Sequence, residues 1–174
     1  HQEIQLYIQN KQRLIVLLSD LKQAIINDGL KSGVDRNLGL KPTGISFLDD
    51  IPEHWGIHKL RQLASVRLSG VDKVPDPYEQ QVRLCNYTDV YHNNVITSNL
   101  EFMEATATQN EIERFSLRSG DILITKDSEM WHDIAVPAYV PLDLHGVLCG
   151  YHLALIRPNK DKVEGEYLFY AFSA

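Results

Sequence analysis

Apolar and polar positions over residues 3–28 repeat on a helical period. Ile4, Tyr7, Lys11, Leu14, Leu18, Leu21 and Ile25 follow one another at alternating three- and four-residue steps, a seam that only Lys11 interrupts. Ile8, Ile15 and Ile26 widen the stripe, Gln, Lys, Arg and Asp fill the opposite face, and no proline or glycine occurs before Gly29. This spacing predicts one long helix whose heptad seam suits packing against a second long helix. Gly33 is the expected residue just past the helix end, with Gly29 accommodated in the last turn.

The pattern then changes. A connector of Gly, Asp and Pro residues runs from Gly29 to Pro42, which favours an arm that stands apart from the rest of the chain. Pro52 fixes its own φ and biases Ile51 out of the α region, so no helix runs through this point. Ile57–Leu68 reads as a short helix or strand, 71–81 as a loop, 82–87 as a strand and 88–94 as a polar turn. Residues 111–115 fit a brief helix. Ser119-Gly120-Asp121 fits a turn, and Ile122–Thr125 (ILIT) reads as a buried strand. Residues 134–140 and 150–157 are further strand candidates, and 167–172 opens a helix. These elements predict an α+β chain: a coiled-coil-type N-terminal helix followed by a β-rich domain. The expected organisation is an arm over 1–33, a connector over 34–54 and a domain over 55–174.

Composition narrows the function. With 174 residues, 44% apolar and 23% charged, and a mean hydropathy of −0.23, the chain suits one globular domain with an appended element. No apolar run is long enough to span a membrane and no signal peptide opens the chain, so no membrane association is expected. Cys85 and Cys149 lack metal-ligand spacing and fit a reduced, cytoplasmic setting as buried thiols. The net charge of −6 is uneven, about +2 over residues 1–43 and about −8 beyond. An acidic chain binds nucleic acid only through a local surface, or with basic partners supplying the phosphate contacts.

Searches for catalytic chemistry find little. His54 and His58 lack the glutamate that follows the first histidine of a zinc-protease helix. Pro75-Asp76-Pro77-Tyr78 has no second adjacent proline and no glycine-rich turn before it, so it is not an amino-methyltransferase loop. Asp121 and Lys126 lack the acid two residues before the lysine that a nuclease core requires, because Ile124 stands there. The chain is therefore expected to have no catalytic residues, no metal and no cofactor.

Two segments look suited to recognition. The strand ending in Thr125, Lys126, Asp127, Ser128 and Glu129 delivers short polar groups and one lysine to a loop. Lysine matches guanine O6/N7 or phosphate, aspartate accepts from cytosine N4, and hydroxyls do either. Residues 83–94 collect Arg83, Asn86, Tyr87, Tyr91, His92, Asn93 and Asn94. Asparagine suits adenine N6/N7, and tyrosine reaches phosphate or sugar. If Lys73, Arg83 and Lys126 share a face they favour DNA; scattered charges favour a protein partner.

The charged leucine-rich helix, the Gly44-Ile45…Leu48…Ile51-Pro52-Glu53-His54-Trp55 block and the GDILITKDS strand–loop together resemble the specificity subunit of type I DNA restriction–modification enzymes. The resemblance covers essentially the whole chain and implies a central conserved helix followed by the second target-recognition domain. It implies a non-catalytic role reading one half of a bipartite double-stranded DNA site, with methylation and cleavage carried by modification and restriction subunits. The chain opens on His1 and ends at Ala174 with no first recognition domain and no distal helix, so the resemblance implies a truncated subunit. Lys126, Asp127, Ser128, Thr125, Arg83, Asn86, Tyr87, Asn93, Asn94 and Lys73 are its expected DNA contacts. Ile4, Tyr7, Leu14, Leu18, Leu21 and Ile25 are the expected helix interface, which would also permit self-association. The competing expectation is a protein-interaction module with an oligomerising helix and no DNA binding.

Overall fold

In a computed structural model, which describes residues 2–173 other than Val34, Arg36, Phe47, Glu129 and the side chain of His132, the striped segment is a single helix, α1 (Gln2–Ser32). Its backbone satisfies itself, and its C-terminus closes as the sequence predicts. Gly33 adopts φ of 73° and donates its N–H to the Gly29 carbonyl at 3.0 Å, the single-bond left-handed cap. No side chain of α1 is buried; its large apolar residues from Ile4 to Ile25 lie between 46% and 66% exposed, while Ile26 and Leu30 near its end are partly covered.

The chain divides into two compact units, one ending at Ile57 and the other spanning His58–Ser173. Within the first, β1 (Leu40–Lys41) pairs antiparallel with β2 (Ile51–Pro52). Glu53 N donates to the Gly39 carbonyl at 2.9 Å, and Lys41 Nζ to the Glu53 carbonyl at 2.7 Å. The Trp55 ring lies 3.3 Å from where a Cβ on Gly33 would stand, and Lys31 meets Asp49 at 2.9 Å. The Ile51–Trp55 block therefore packs beneath the end of α1. Trp55, expected to open the globular domain, belongs with the first unit.

The second unit contains, in order, α2 (Leu60–Leu63), β3 (Ala64–Leu68), β4 (Gln80–Cys85), α3 (Tyr87–His92), β5 (Met103–Ala107), α4 (Gln109–Phe115), β6 (Ile122–Thr125), β7 (Pro137–Tyr139), β8 (Val147–Cys149), β9 (Leu153–Pro158) and α5 (Gly165–Ser173). One sheet runs β3-β9-β6-β7, antiparallel throughout, so β6 is internal. The other runs β5-β4-β8, with β4 antiparallel to β5 and parallel to β8. The architecture is α+β, a long helix followed by a β-rich unit.

The apolar run ILIT reflects burial on both faces of β6. Leu123 joins the main core with Leu84, Leu148, Ile96 and Leu155, whereas Ile122 joins a second cluster with Ile156, Leu168 and Phe169 of α5. A strand covered on both sides loses the usual alternation. The turn before β6 is held firmly. Asp121, almost wholly buried, accepts from Arg157 Nε at 2.8 Å, from Arg157 Nη2 at 2.7 Å and from Arg118 N at 2.8 Å. Any Cβ at Gly165 would sit 2.2 Å from the Gly120 carbonyl, so only glycine lets α5 start there. Cys85 and Cys149 are register partners on β4 and β8, and burial pushes both thiols well above their ordinary titration range.

Several expected elements differ. Residues 88–94 are not a turn, because α3 starts at Tyr87. Asp89 accepts the Asn86 N–H at 2.7 Å, in the manner of a helix-start acid, and Val90 anchors the helix in the core. The strand expected over 134–140 shrinks to β7, preceded by a 3-10 turn at Trp131–Asp133. Strands β5 and β8 have no counterpart among the expected elements, while α4, α5 and β9 arise close to where the pattern places them. Among the described residues, no helix is long and apolar enough to cross a membrane.

Candidate nucleic-acid interface

Because β6 is internal, its end is a fixed platform. Chain direction alternates the side chains, so Thr125 points inward with Leu123, and the next residues leave the sheet. Lys126 N still donates to the His152 carbonyl at 3.1 Å, which ties the start of the loop to the turn before β9. Beyond that bond, Asp127 is exposed, while Lys126 and Ser128 are partly covered.

Asp127 Oδ2 lies 3.2 Å from His152 Nδ1 and 3.4 Å from Lys126 Nζ. The hydrogen bond with His152, aided by the lysine charge, holds the Asp127 carboxyl below its ordinary range. Ser128 Oγ donates to Asp133 Oδ2 at 3.3 Å, and Tyr91 Oη donates to Asp133 Oδ1 at 3.1 Å. The Asp133 carboxylate raises the Tyr91 phenol. Tyr91 in turn stacks on Tyr87, their rings 5.6 Å apart and nearly parallel. Tyr87, Asp127, Ser128, Met130, Asp133 and His152 thus line one shallow depression of about 450 Å³. It offers a serine hydroxyl, two carboxylates and an imidazole beside the Tyr87 ring, with Lys126 reaching Asp127 from outside the lining, a set suited to hydrogen-bonding flat polar edges rather than to covalent chemistry. Among the described residues, no group of histidines, cysteines and acids is placed to hold a metal.

The remaining expected contacts lie elsewhere. Thr125 is buried and its hydroxyl is committed to the Asp133 carbonyl and to Val136 N, so it shapes the loop instead of facing a ligand. Arg83, on the outer face of β4, donates to the His145 carbonyl at 3.0 Å and rests over Phe102; it borders a different depression with Gln81, Glu104 and Thr106. Asn86 starts α3. Asn93 caps its end by donating to the Asp89 carbonyl at 2.8 Å. Asn94 is exposed and its carbonyl accepts from Tyr139 N at 2.9 Å. Lys73 is exposed in the loop before β4. Lys73, Arg83 and Lys126 stand on three different elements, and Lys126 is partly neutralised by Asp127. Glu129 lies outside the described residues. Sequence reasoning missed His152, Asp133 and Met130, which reach the site through partners distant in sequence or through an irregular turn; the Gly150-Tyr151-His152 turn was their faintest signal.

No protein-family model matches the chain. A protein of Methanocaldococcus jannaschii named as the specificity subunit of the type I restriction enzyme MjaX is 26% identical over 123 residues, 71% of this chain and 28% of that protein. The fold matches the HsdS subunit from Thermoanaerobacter tengcongensis with a TM-score of 0.53 at 15% identity, over 95% of this chain and 36% of that one. This chain resembles type I specificity subunits. A structure concerned with assembly and conformational transition of the type I restriction–modification system gives a TM-score of 0.50 at 15% identity, over 95% of this chain and 37% of that one. The chain spans only 28% of the length of the curated relative. The likeness of fold extends through both units, since the structural matches reach nearly the whole chain.

Proposed function

We propose that this chain is part of the sequence-reading, non-catalytic component of a type I restriction–modification complex, its second unit contacting one half of a bipartite duplex target. The observation that carries this reading is the Lys126–Ser128 loop, which leaves a firmly held central strand and meets Tyr87 and His152 around one depression. Lys126, Asp127 and Ser128 would discriminate bases, each good bidentate contact contributing roughly 1–3 kcal/mol. Asn94, Arg83 and Lys73 would act on flanking sugar and phosphate. Modification and restriction subunits would bring the methyl-transfer and cleavage chemistry and much of the phosphate affinity, which reconciles an acidic chain with DNA. The reading requires no cofactor on this chain.

The arm supports the assembly part of the reading. Ile4, Tyr7, Leu14, Leu18, Leu21 and Ile25 are all exposed on α1, a seam that a helix of a partner subunit or of a second copy would cover. Lys126→Ala should relax or abolish target selectivity in a binding-site selection while the complex still assembles. Unchanged selectivity rejects the role of Lys126. One observation favours the competing protein-binding reading: the Lys126 charge is already answered by Asp127 at 3.4 Å. Duplex binding that weakens steeply with added salt would speak for DNA, and no duplex binding at any salt for a protein partner.

A further inference from the structure

The Ser128 hydroxyl is held in one sense. Its Oγ donates to Asp133 Oδ2 at 3.3 Å and accepts from Met130 N at 3.2 Å. A carboxylate accepts and a backbone N–H donates, so the single hydroxyl proton points to Asp133. Asp133 is itself anchored from two elements. Its Oδ1 accepts from Tyr91 Oη of α3 at 3.1 Å, and its carbonyl accepts from the buried Thr125 hydroxyl at the end of β6. Thr125 Oγ1 also accepts from Val136 N at 3.0 Å, and Asp133 N donates to the Met130 carbonyl at 3.1 Å, which closes the loop around the carboxylate. What Ser128 has left is a lone pair, on the depression it lines with Asp127 and Tyr87.

A free hydroxyl donates or accepts, but this one presents an acceptor alone. Asp127 adds the same polarity. Its Oδ2 meets His152 and Lys126, whereas its Oδ1 has no partner among the described residues. Lys126 stands outside the lining and directs its ammonium to Asp127 Oδ2 and to the Ser69 carbonyl, each at 3.4 Å. Asp127 and Ser128 therefore both bring acceptors to the depression, and their complement is a donor edge. In the major groove of a duplex the donors are the exocyclic amino groups, adenine N6 and cytosine N4; guanine O6 and N7 and thymine O4 accept.

We propose that Asp133 is a positioning residue that fixes Ser128 as a hydrogen-bond acceptor, so that the depression reads an exocyclic amino group of adenine or cytosine and not a base carbonyl or ring nitrogen. The inference rests on the DNA-reading role above and gives that role its polarity. In the test, duplexes that the assembled complex recovers from a randomised pool are remade with one group deleted at a time. Purine in place of adenine removes N6, 2-pyrimidinone in place of cytosine removes N4, and 2-aminopurine in place of guanine removes O6. With the unaltered chain, one amino deletion should weaken binding about tenfold, and the adenine and cytosine arms tell the two sources apart. The same deletion should have little effect on Ser128→Ala and its full effect on Ser128→Thr, which keeps the hydroxyl. Asp133→Ala frees the hydroxyl proton and should shrink the loss, whereas Tyr91→Phe leaves the Ser128 contact in place and should preserve it. A Ser128-dependent loss on deleting guanine O6 overturns the proposal, because the hydroxyl then donates. An amino-group loss as large in Ser128→Ala or Asp133→Ala as in the unaltered chain overturns it too and leaves the reading role standing. Should Asp133→Ala fail to fold, the Ser128 variants still decide the polarity. If the unaltered complex recovers no sequence from the pool, the reading role fails and this assignment with it.

Discussion

Leu14 and Leu18 on α1 stay about half exposed, whereas Leu123 and Leu155 on β6 and β9 are fully enclosed. The residue type is the same; the difference is what each element needs in order to exist. A helix closes its hydrogen bonds along its own axis, so α1 can keep its apolar seam for another molecule. A strand must borrow its hydrogen bonds from neighbours, and β6, paired on both sides and covered on both faces, places its leucine and isoleucines inside the unit. No residue of α1 is buried, so packing within the described chain adds little to the stability of the arm. The second unit holds both buried apolar clusters.

Matched substitutions should expose this contrast. Leu123→Ala should cost about 2–5 kcal/mol in denaturant unfolding of the second unit, through lost burial and a cavity in a two-sided core. Leu18→Ala should leave that transition in place and instead weaken association, read as a concentration-dependent fall in mass by sedimentation. Equal effects of the two on unfolding would erase the distinction between the units.

The end of the arm should show a smaller effect. Gly33→Ala places a Cβ in a left-handed position and 3.3 Å from the Trp55 ring, so helicity should drop and the first unit should lose about 1–2 kcal/mol. An unchanged far-ultraviolet spectrum and melting profile would mean that the Trp55 block does not secure the helix end.

The smallest effect lies on the loop. The Asp127 carboxyl titrates below its ordinary range, first because His152 bonds to it, so its contribution is present above that range and is lost as pH falls through the depressed value. His152→Ala should move the Asp127 titration upward toward the ordinary carboxylate range, followed by carboxyl-carbon NMR. No movement would show that the loop is arranged without this pair.

The two units were not equally legible. The arm announced itself because a helical period depends only on local spacing, and the Gly33 cap followed from the same logic. The strand ILIT was visible as an apolar run, yet the burial of Thr125 was not, because a run covered on both faces carries no parity. Helix α3 was hidden by its polar composition: residues 88–94, with Asn93 and Asn94 adjacent, suggest a turn until the core contact of Val90 is known. Strands β5 and β8 are short and take their form from β4, a neighbour distant in the chain. For the site, Asp127 and Ser128 could be named from the sequence. Their link to Tyr91 and His152 arises from pairing between elements that no local pattern encodes.

The two cysteines have a practical consequence. Both are enclosed, and each holds its proton far above neutral pH, so neither offers a thiolate to an alkylating reagent. A cysteine introduced at an outward position, such as Trp131→Cys, would be the sole group to take a maleimide dye on the folded chain, with no need to remove the native pair first. Spectroscopic distance measurements on the loop can therefore begin from the unaltered background.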